Sequence, residues 1–121
     1  MSTNQEVFDR VYAYAKTMKV PAVNEEGSCR YRSPNGPCLI GSLIKDKFYS
    51  EDFEGHHATT DEVLEALRKS GINLEDDNFL LNLQVAHDEV VMDGVEGDGF
   101  NPELISKLKA VADRYKLEIP A

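Results

Sequence analysis

The chain has no tryptophan and only two cysteines, and none of its apolar runs approaches the ~20 residues of a membrane-spanning helix. The N-terminus also lacks the apolar segment of a secretory signal peptide, so we expect a cytoplasmic protein with reduced thiols. Its 121 residues suffice for one domain and are too few for two of typical size. With 41% hydrophobic residues, the chain can form a core without disulfides. The sequence therefore predicts a single domain over residues 1–121.

Basic residues are also few: the chain has 13 lysines and arginines and 22 aspartates and glutamates, which gives a net charge of −9. No lysine or arginine lies between Lys69 and Lys107, whereas nine acids do. A chain of this charge repels phosphate backbones, so direct nucleic-acid binding is not expected. We predict instead that the acidic stretch contacts a protein partner, either basic or nucleic-acid-binding; the alternative is a solubilising surface. The acids expected to form the contact are Asp77, Asp88, Asp93, Glu96 and Asp98.

Helical periodicity accounts for most of the apolar residues, and the fold class is predicted to be mainly α. The five predicted helices span about residues 4–19, 37–44, 59–70, 76–91 and 101–115. Capping boxes at Thr3 and Thr59 mark two of the starts, and Asp76 or Asp77 is expected to cap the fourth helix. Prolines mark the other two starts, at Pro37 and after Asn101.

A small extended element is predicted near residues 29–33, where polar and apolar residues alternate. The tetrapeptide Ser33-Pro34-Asn35-Gly36 follows it, with proline and glycine at positions that favour a tight turn. We therefore expect a short hairpin within an otherwise helical protein.

Several short motifs together resemble a family of small phage and prophage proteins for which no activity is established. They are Cys29-Arg30-Tyr31-Arg32, Gly36-Pro37-Cys38, Gly41, Leu43-Ile44, Tyr49, Glu54-Gly55, Leu83-Gln84 and His87-Asp88. The likeness covers about residues 29–88 and departs from the pattern at Lys45, where proline is expected, and at Phe53, where methionine is expected. The resemblance implies a viral or mobile-element setting, hence a host protein as partner in the host cytoplasm, with a counter-defence or nucleic-acid-mimic role. It implies no chemistry.

A thiol and an imidazole suggest an alternative, a small cysteine-dependent enzyme. Cys38 falls in the first turn of the second predicted helix, where the helix dipole and free amides favour a thiolate. Such an enzyme would use Cys38 as nucleophile, His87 as base and Arg32 as anion binder. Because Cys38 lies in an apolar run, a packing role is favoured. The common enzyme motifs are also missing, so a binding protein is the preferred prediction, and a self-associating structural or assembly protein is the third class.

Two groups of residues have the side chains of a metal site, but neither has the required spacing. Cys29, Cys38 and His87, with His56 or His57, are zinc-ligand types, but the two cysteines lie further apart than the about two to four intervening residues of structural knuckles. The acidic loop 93–99 lacks the first and last ligands of a calcium-binding EF-hand loop. The sequence therefore predicts neither a metal nor a cofactor.

Overall fold

A computed structural model describes residues 3–74, 76–95 and 97–120 and confirms the mainly helical class. Four α-helices form in this part of the chain, not the five predicted: α1 (Asn4–Ala15), α2 (Asp61–Lys69), α3 (Asn78–Met92) and α4 (Phe100–Arg114). A hairpin of two antiparallel strands, β1 (Arg32–Ser33) and β2 (Gly36–Pro37), lies between α1 and α2 in sequence. Short 3-10 turns lie at Gly41–Leu43, Asp46–Phe48, Glu51–Phe53 and Gly97–Gly99. None of the helices described is long and apolar enough to cross a membrane.

The core lies where α4 packs against α1 and α3. Phe8, Phe79 and Phe100, one from each of these helices, are fully buried. Burying a phenylalanine side chain stabilises a fold by about 1.5–3 kcal/mol, so these three rings fix how the helices pack.

The two ends of α1 differ in how well the sequence predicts them. The capping box is confirmed at the start, where Thr3 Oγ1 accepts the Glu6 N–H and Glu6 Oε1 accepts the Thr3 N–H. The helix then ends at Ala15, short of the predicted residue 19. After Ala15 the chain makes one tight turn, in which the Ala15 carbonyl accepts the Met18 N–H at 3.1 Å. The side-chain amide of Asn101 also donates to the carbonyls of Ala15 (2.8 Å) and Met18 (2.6 Å), which ties this turn to α4. The helix predicted to start at residue 101 begins one residue earlier, at Phe100, so Asn101 lies inside α4.

The second predicted helix, from Pro37, does not form, and this prediction is wrong. Pro37 belongs to β2, opposite Arg32, and the Cys38 N–H donates to the Tyr31 carbonyl at 3.2 Å. The chain then closes so tightly on Tyr31 that a Cβ on Gly41 would lie 2.1 Å from the Tyr31 oxygen. The hairpin and this close contact hold the segment in a conformation other than an α-helix. The 3-10 turn at Gly41–Leu43 is the helical structure that forms there.

The starts of α2 and α3 give opposite results. The capping box predicted at Thr59 is wrong, because Thr60 precedes α2 and its hydroxyl donates to the His57 carbonyl at 2.9 Å. At α3 an aspartate side chain does bond to the first turn, because Asp76 Oδ1 accepts the N–H of Asn78 at 3.0 Å, although the N-cap residue itself is Asp77, whose side chain makes no capping bond.

Residues 16–60 contain no α-helix; they contribute apolar side chains such as Leu39 and Ile40 to the core and bond to α3 through polar groups. The predicted turn is confirmed, since Ser33 pairs with Gly36 and the Asn35 N–H donates to Ser33 Oγ. Two side chains of α3 bond to this segment, as the Ala22 N–H donates to the His87 ring and the Ala58 N–H donates to Gln84. The same face of α3 forms one wall of the candidate site.

Candidate functional site

A pocket of about 150 Å³ lies between the hairpin segment, the loop 55–57 and one face of α3. Its lining residues are Cys29, Arg30, Tyr31, Cys38, Gly55, His56, His57, Gln84 and Asp88. α3 contributes Gln84 and Asp88, which are four residues apart and so lie on one helix face. The pocket thus joins three segments that are distant in sequence.

The wall on α3 contains a chain of hydrogen bonds that orients Asp88. His87 is 1% exposed, and its Nε2 accepts the Ala22 backbone N–H at 3.0 Å. Since Nε2 is an acceptor in a neutral ring, the proton resides on Nδ1, which lies 3.0 Å from Asp88 Oδ1. His87 therefore donates to Asp88 and holds its carboxylate at the pocket.

The two thiols in the pocket are protonated at neutral pH. Burial, followed by the neighbouring Asp88 carboxylate, raises the pKa of Cys29 to about 12. Burial also raises the pKa of Cys38 to about 12, against the opposing effect of two backbone N–H groups, of Gly41 and Ile40. The Gly41 nitrogen lies 3.3 Å from the Cys38 sulfur. With pKa values this high, the thiolate needed for nucleophilic attack is scarce.

Tyr31 ties the loop 55–57 to α3. Its hydroxyl donates to the His56 carbonyl at 2.6 Å and accepts from Gln84 Nε2 at 2.8 Å. Burial raises the pKa of Tyr31 above its usual value, so the hydroxyl stays a donor. Tyr31 is 2% exposed, and this side chain therefore holds the mouth of the pocket in place.

Glu54 anchors the hairpin beside the pocket. Its two carboxylate oxygens accept the backbone N–H groups of Tyr31 (2.8 Å) and Arg32 (3.1 Å), and one of them also accepts the Tyr49 hydroxyl. The Arg30 guanidinium lies 2.7 Å from Glu51 and 3.7 Å from Glu54. The negative charge of Glu54 is thus largely used in holding the local backbone.

The structure does not assemble the predicted catalytic group of Cys38, His87 and Arg32. Both ring nitrogens of His87 are engaged, one by Ala22 and the other by Asp88, so the ring has no free lone pair to take a proton from Cys38. Arg32 is outside the pocket lining: its guanidinium donates to the Ile44 carbonyl at 2.7 Å and lies over the Tyr49 ring. Cys38 does line the pocket, but it precedes a 3-10 turn and not an α-helix.

The predicted acidic residues do not lie together. Asp77 and Asp93 flank opposite ends of α3, about 24 Å apart at 1.5 Å per residue. Asp88 faces the thiol pocket, and Asp98 lines a shallow groove beside Lys16 and Lys19. Glu96 lies outside the described residues.

The C-terminal end of α3 nevertheless concentrates negative charge. Glu89 lies one turn before Asp93, which caps the helix, and the last turn contains no basic residue. Lys107 of α4 lies 3.1 Å from Glu89 and 4.0 Å from Asp93. Met92, which lies between Glu89 and Asp93 in the sequence, is 83% exposed and is the most exposed of the large hydrophobic side chains described. We call Glu89, Met92 and Asp93 the acidic end of α3.

No family model, curated protein or solved structure matches the chain. Seven of the nine residues that line the pocket belong to the motifs on which the resemblance to phage proteins rests, and the other two are His56 and His57. Sequence reasoning gave no role to Tyr31 or Gln84. Their presence in those motifs was the one available signal.

Proposed function

We propose that this chain is a small acidic binding protein that contacts a basic surface of a partner protein through the acidic end of α3. One observation supports the proposal most directly. Glu89 and Asp93 lie at the C-terminal end of α3, where the helix dipole favours positive charge. The helix dipole places about half a negative charge there, so each added carboxylate is unfavourable by about 0.3–1 kcal/mol. Lys107 of α4 offsets part of this negative charge, and a positively charged partner would offset the remainder.

Met92 supports the same surface. An exposed methionine has a flexible, polarizable side chain, and methionine is enriched at protein–protein interfaces. It follows Glu89 by three residues and immediately precedes Asp93, so a partner that combines basic groups with an apolar contact fits this surface.

The resemblance to phage proteins narrows the proposed partner to a protein of the host cell. The net charge of −9 disfavours nucleic acid as the direct ligand, whereas a nucleic-acid-binding protein has the basic groove that the acidic end requires. Modulation of such a host protein is the role that we propose.

The experiment compares two double variants that change the net charge equally. The first is Glu89→Gln with Asp93→Asn, and the control is Glu25→Gln with Glu26→Gln, two exposed acids in the loop before Cys29. A partner is captured on the immobilised protein from an extract of the cells in which it acts, then purified, and its dissociation constant is measured with each variant. Two opposite charges 4 Å apart interact by about 1 kcal/mol in water, so we expect the first variant to bind about tenfold or more weakly.

The control should retain the wild-type affinity, because a general effect of net charge would weaken both variants equally. Equal affinities for the two variants, whether lowered or unchanged, would refute the acidic end of α3 as the contact. A stable homo-oligomer with no foreign partner would instead support the structural or assembly class.

A further inference from the structure

All five cysteines and histidines of the chain lie at or directly behind the pocket between the hairpin and α3. Four of them, Cys29, Cys38, His56 and His57, line it, and the fifth, His87, bonds to Asp88 in its wall. They come from three segments that the fold brings together. Thiolate and imidazole are the ligands that zinc prefers in proteins, and carboxylate is the third common type.

We propose that this pocket binds one zinc ion through two thiolates, one carboxylate and one imidazole. The ligands are Cys29, Cys38, Asp88 and either His56 or His57. On binding, the two thiols release their protons to solvent and two sulfur–zinc bonds form, with no change of oxidation state. The sequence spacing predicts no metal, because Cys29 and Cys38 lie too far apart for a zinc knuckle formed by one short segment. In the folded chain the proposed ligands come from separate segments.

Three potential ligand atoms beside the pocket already lie close together. Ligand atoms in such a site lie about 3.5 Å apart, given bonds of about 2.0–2.3 Å. The sulfur of Cys29, a ring nitrogen of His87 and a carboxylate oxygen of Asp88 already lie within 4.8 Å of one another. Cys29 and Asp88 are the two proposed ligands in this cluster, and Cys38, His56 and His57 line the same pocket.

His87 belongs to the same cluster but orients a ligand and is not one itself. Its Nε2 accepts the Ala22 N–H, so Nδ1 carries a proton that it directs at Asp88. A carboxylate ligand held by such a hydrogen bond is a common arrangement around metal ions, and the bond sets the angle of the carboxylate. His87 is therefore a positioning residue.

Cys38 has surroundings that suit a bound thiolate. The N–H groups of Gly41 and Ile40 point towards its sulfur, the first at 3.3 Å, and hydrogen bonds from backbone amides stabilise negative charge on sulfur. The positive charge of Arg30, which also lines the pocket, is paired with Glu51 and Glu54. A divalent cation is thus not opposed by an unpaired positive side chain at that position.

The metal would have a structural role in this position. Residues 16–60 contain no α-helix; they contribute side chains such as Leu39, Ile40 and Leu43 to the core and are joined to α3 by a few hydrogen bonds. An ion bound by Cys29, Cys38, Asp88 and the loop 56–57 would cross-link three segments of this region, which is how structural zinc stabilises domains with little regular structure.

The test begins with protein freed of metal by a chelator in reducing buffer. Zinc binding is measured by competition with a chromophoric chelator, and cobalt is used as a spectroscopic probe because its visible bands report four-coordination and thiolate ligation. The variants are Cys29→Ser, Asp88→Asn and the pair His56→Asn with His57→Asn. Asp113→Asn, which removes an exposed carboxylate of α4, is the control.

We expect the wild type and the control to bind one equivalent of zinc and to melt at a higher temperature with it than without it. Each of the three pocket variants should bind at least tenfold more weakly, and Cys29→Ser should weaken the thiolate-to-cobalt band. Far-ultraviolet circular dichroism of the metal-free variants establishes that they are folded before binding is compared. The proposal is overturned if the reduced wild type binds no zinc, or if any pocket variant binds it as tightly as the wild type.

Discussion

Replacing Gly41 with alanine tests the close approach that prevents the second predicted helix. The added Cβ would lie 2.1 Å from the Tyr31 carbonyl oxygen and about 3 Å from two further Tyr31 backbone atoms. Because these neighbours are backbone atoms, no side chain can rotate away, and the hairpin must shift by about 1 Å. The hydrogen bond from the Cys38 N–H to the same oxygen would be strained as well.

The expected loss of stability follows from two opposing effects. Overpacking of this kind destabilises by about 3 kcal/mol, at the upper end of the usual range. The smaller conformational entropy of unfolded alanine returns about 0.4–1 kcal/mol. The net loss is about 2 kcal/mol, which lowers Tm by about 8 °C in a chain of this length.

Thermal and urea unfolding measure this loss, with Gly27→Ala as the matched control. Gly27 has a φ of +83° and no atom within 4 Å of its would-be Cβ, so alanine there adds backbone strain of about 1 kcal/mol and no collision. Gly41→Ala should therefore be the more destabilising of the two. If Gly41→Ala is as stable as the wild type, or more so, the contact with Tyr31 does not constrain the fold as described.

Two further predictions concern stability. In metal-free protein the pKa values of Cys29 and Cys38 are both raised by burial from 9.0 to about 12, so between these pH values the folded protein keeps two protons that the unfolded chain loses. The free energy of unfolding should therefore fall by about 2.7 kcal/mol per pH unit in that interval, and a flat urea-unfolding profile would contradict the burial of the thiols. Asn101→Ala removes the two hydrogen bonds to the carbonyls of Ala15 and Met18 and should lower the stability by about 2 kcal/mol in thermal unfolding, whereas an unchanged Tm would show that these bonds do not stabilise the fold.

Local signals predicted the elements that local contacts determine. The capping box at Thr3 and the turn at Ser33–Gly36 need only residues three positions apart, and both form as expected. The segment after Pro37 failed because its conformation depends on the Tyr31 carbonyl, which lies across the hairpin. The early end of α1 is accompanied by hydrogen bonds from Asn101, which lies more than eighty positions further along the chain, and no local pattern reports such a contact.

The candidate site shows the same limit. The residue types of the pocket were recognised in the sequence as zinc-ligand types, but their spacing argued against a site, since Cys29 and Asp88 meet only when α3 packs on the hairpin segment. For a related reason, the sequence could not show whether Cys38 and His87 lie close enough to act together. The His87 ring accepts the backbone N–H of Ala22, which lies 65 positions away in the sequence, so no local pattern reveals this bond.

The measurement that most directly tests the proposed function is the association rate constant with the purified partner as a function of salt. For the wild type, we expect this constant to fall by about tenfold or more between about 0.05 and 0.5 M salt, because added ions screen the attraction that steers the encounter. The double variant Glu89→Gln with Asp93→Asn should associate more slowly at low salt and show a shallower dependence. Identical rate constants and identical salt dependence for the two proteins would contradict the acidic end of α3 as the contact surface.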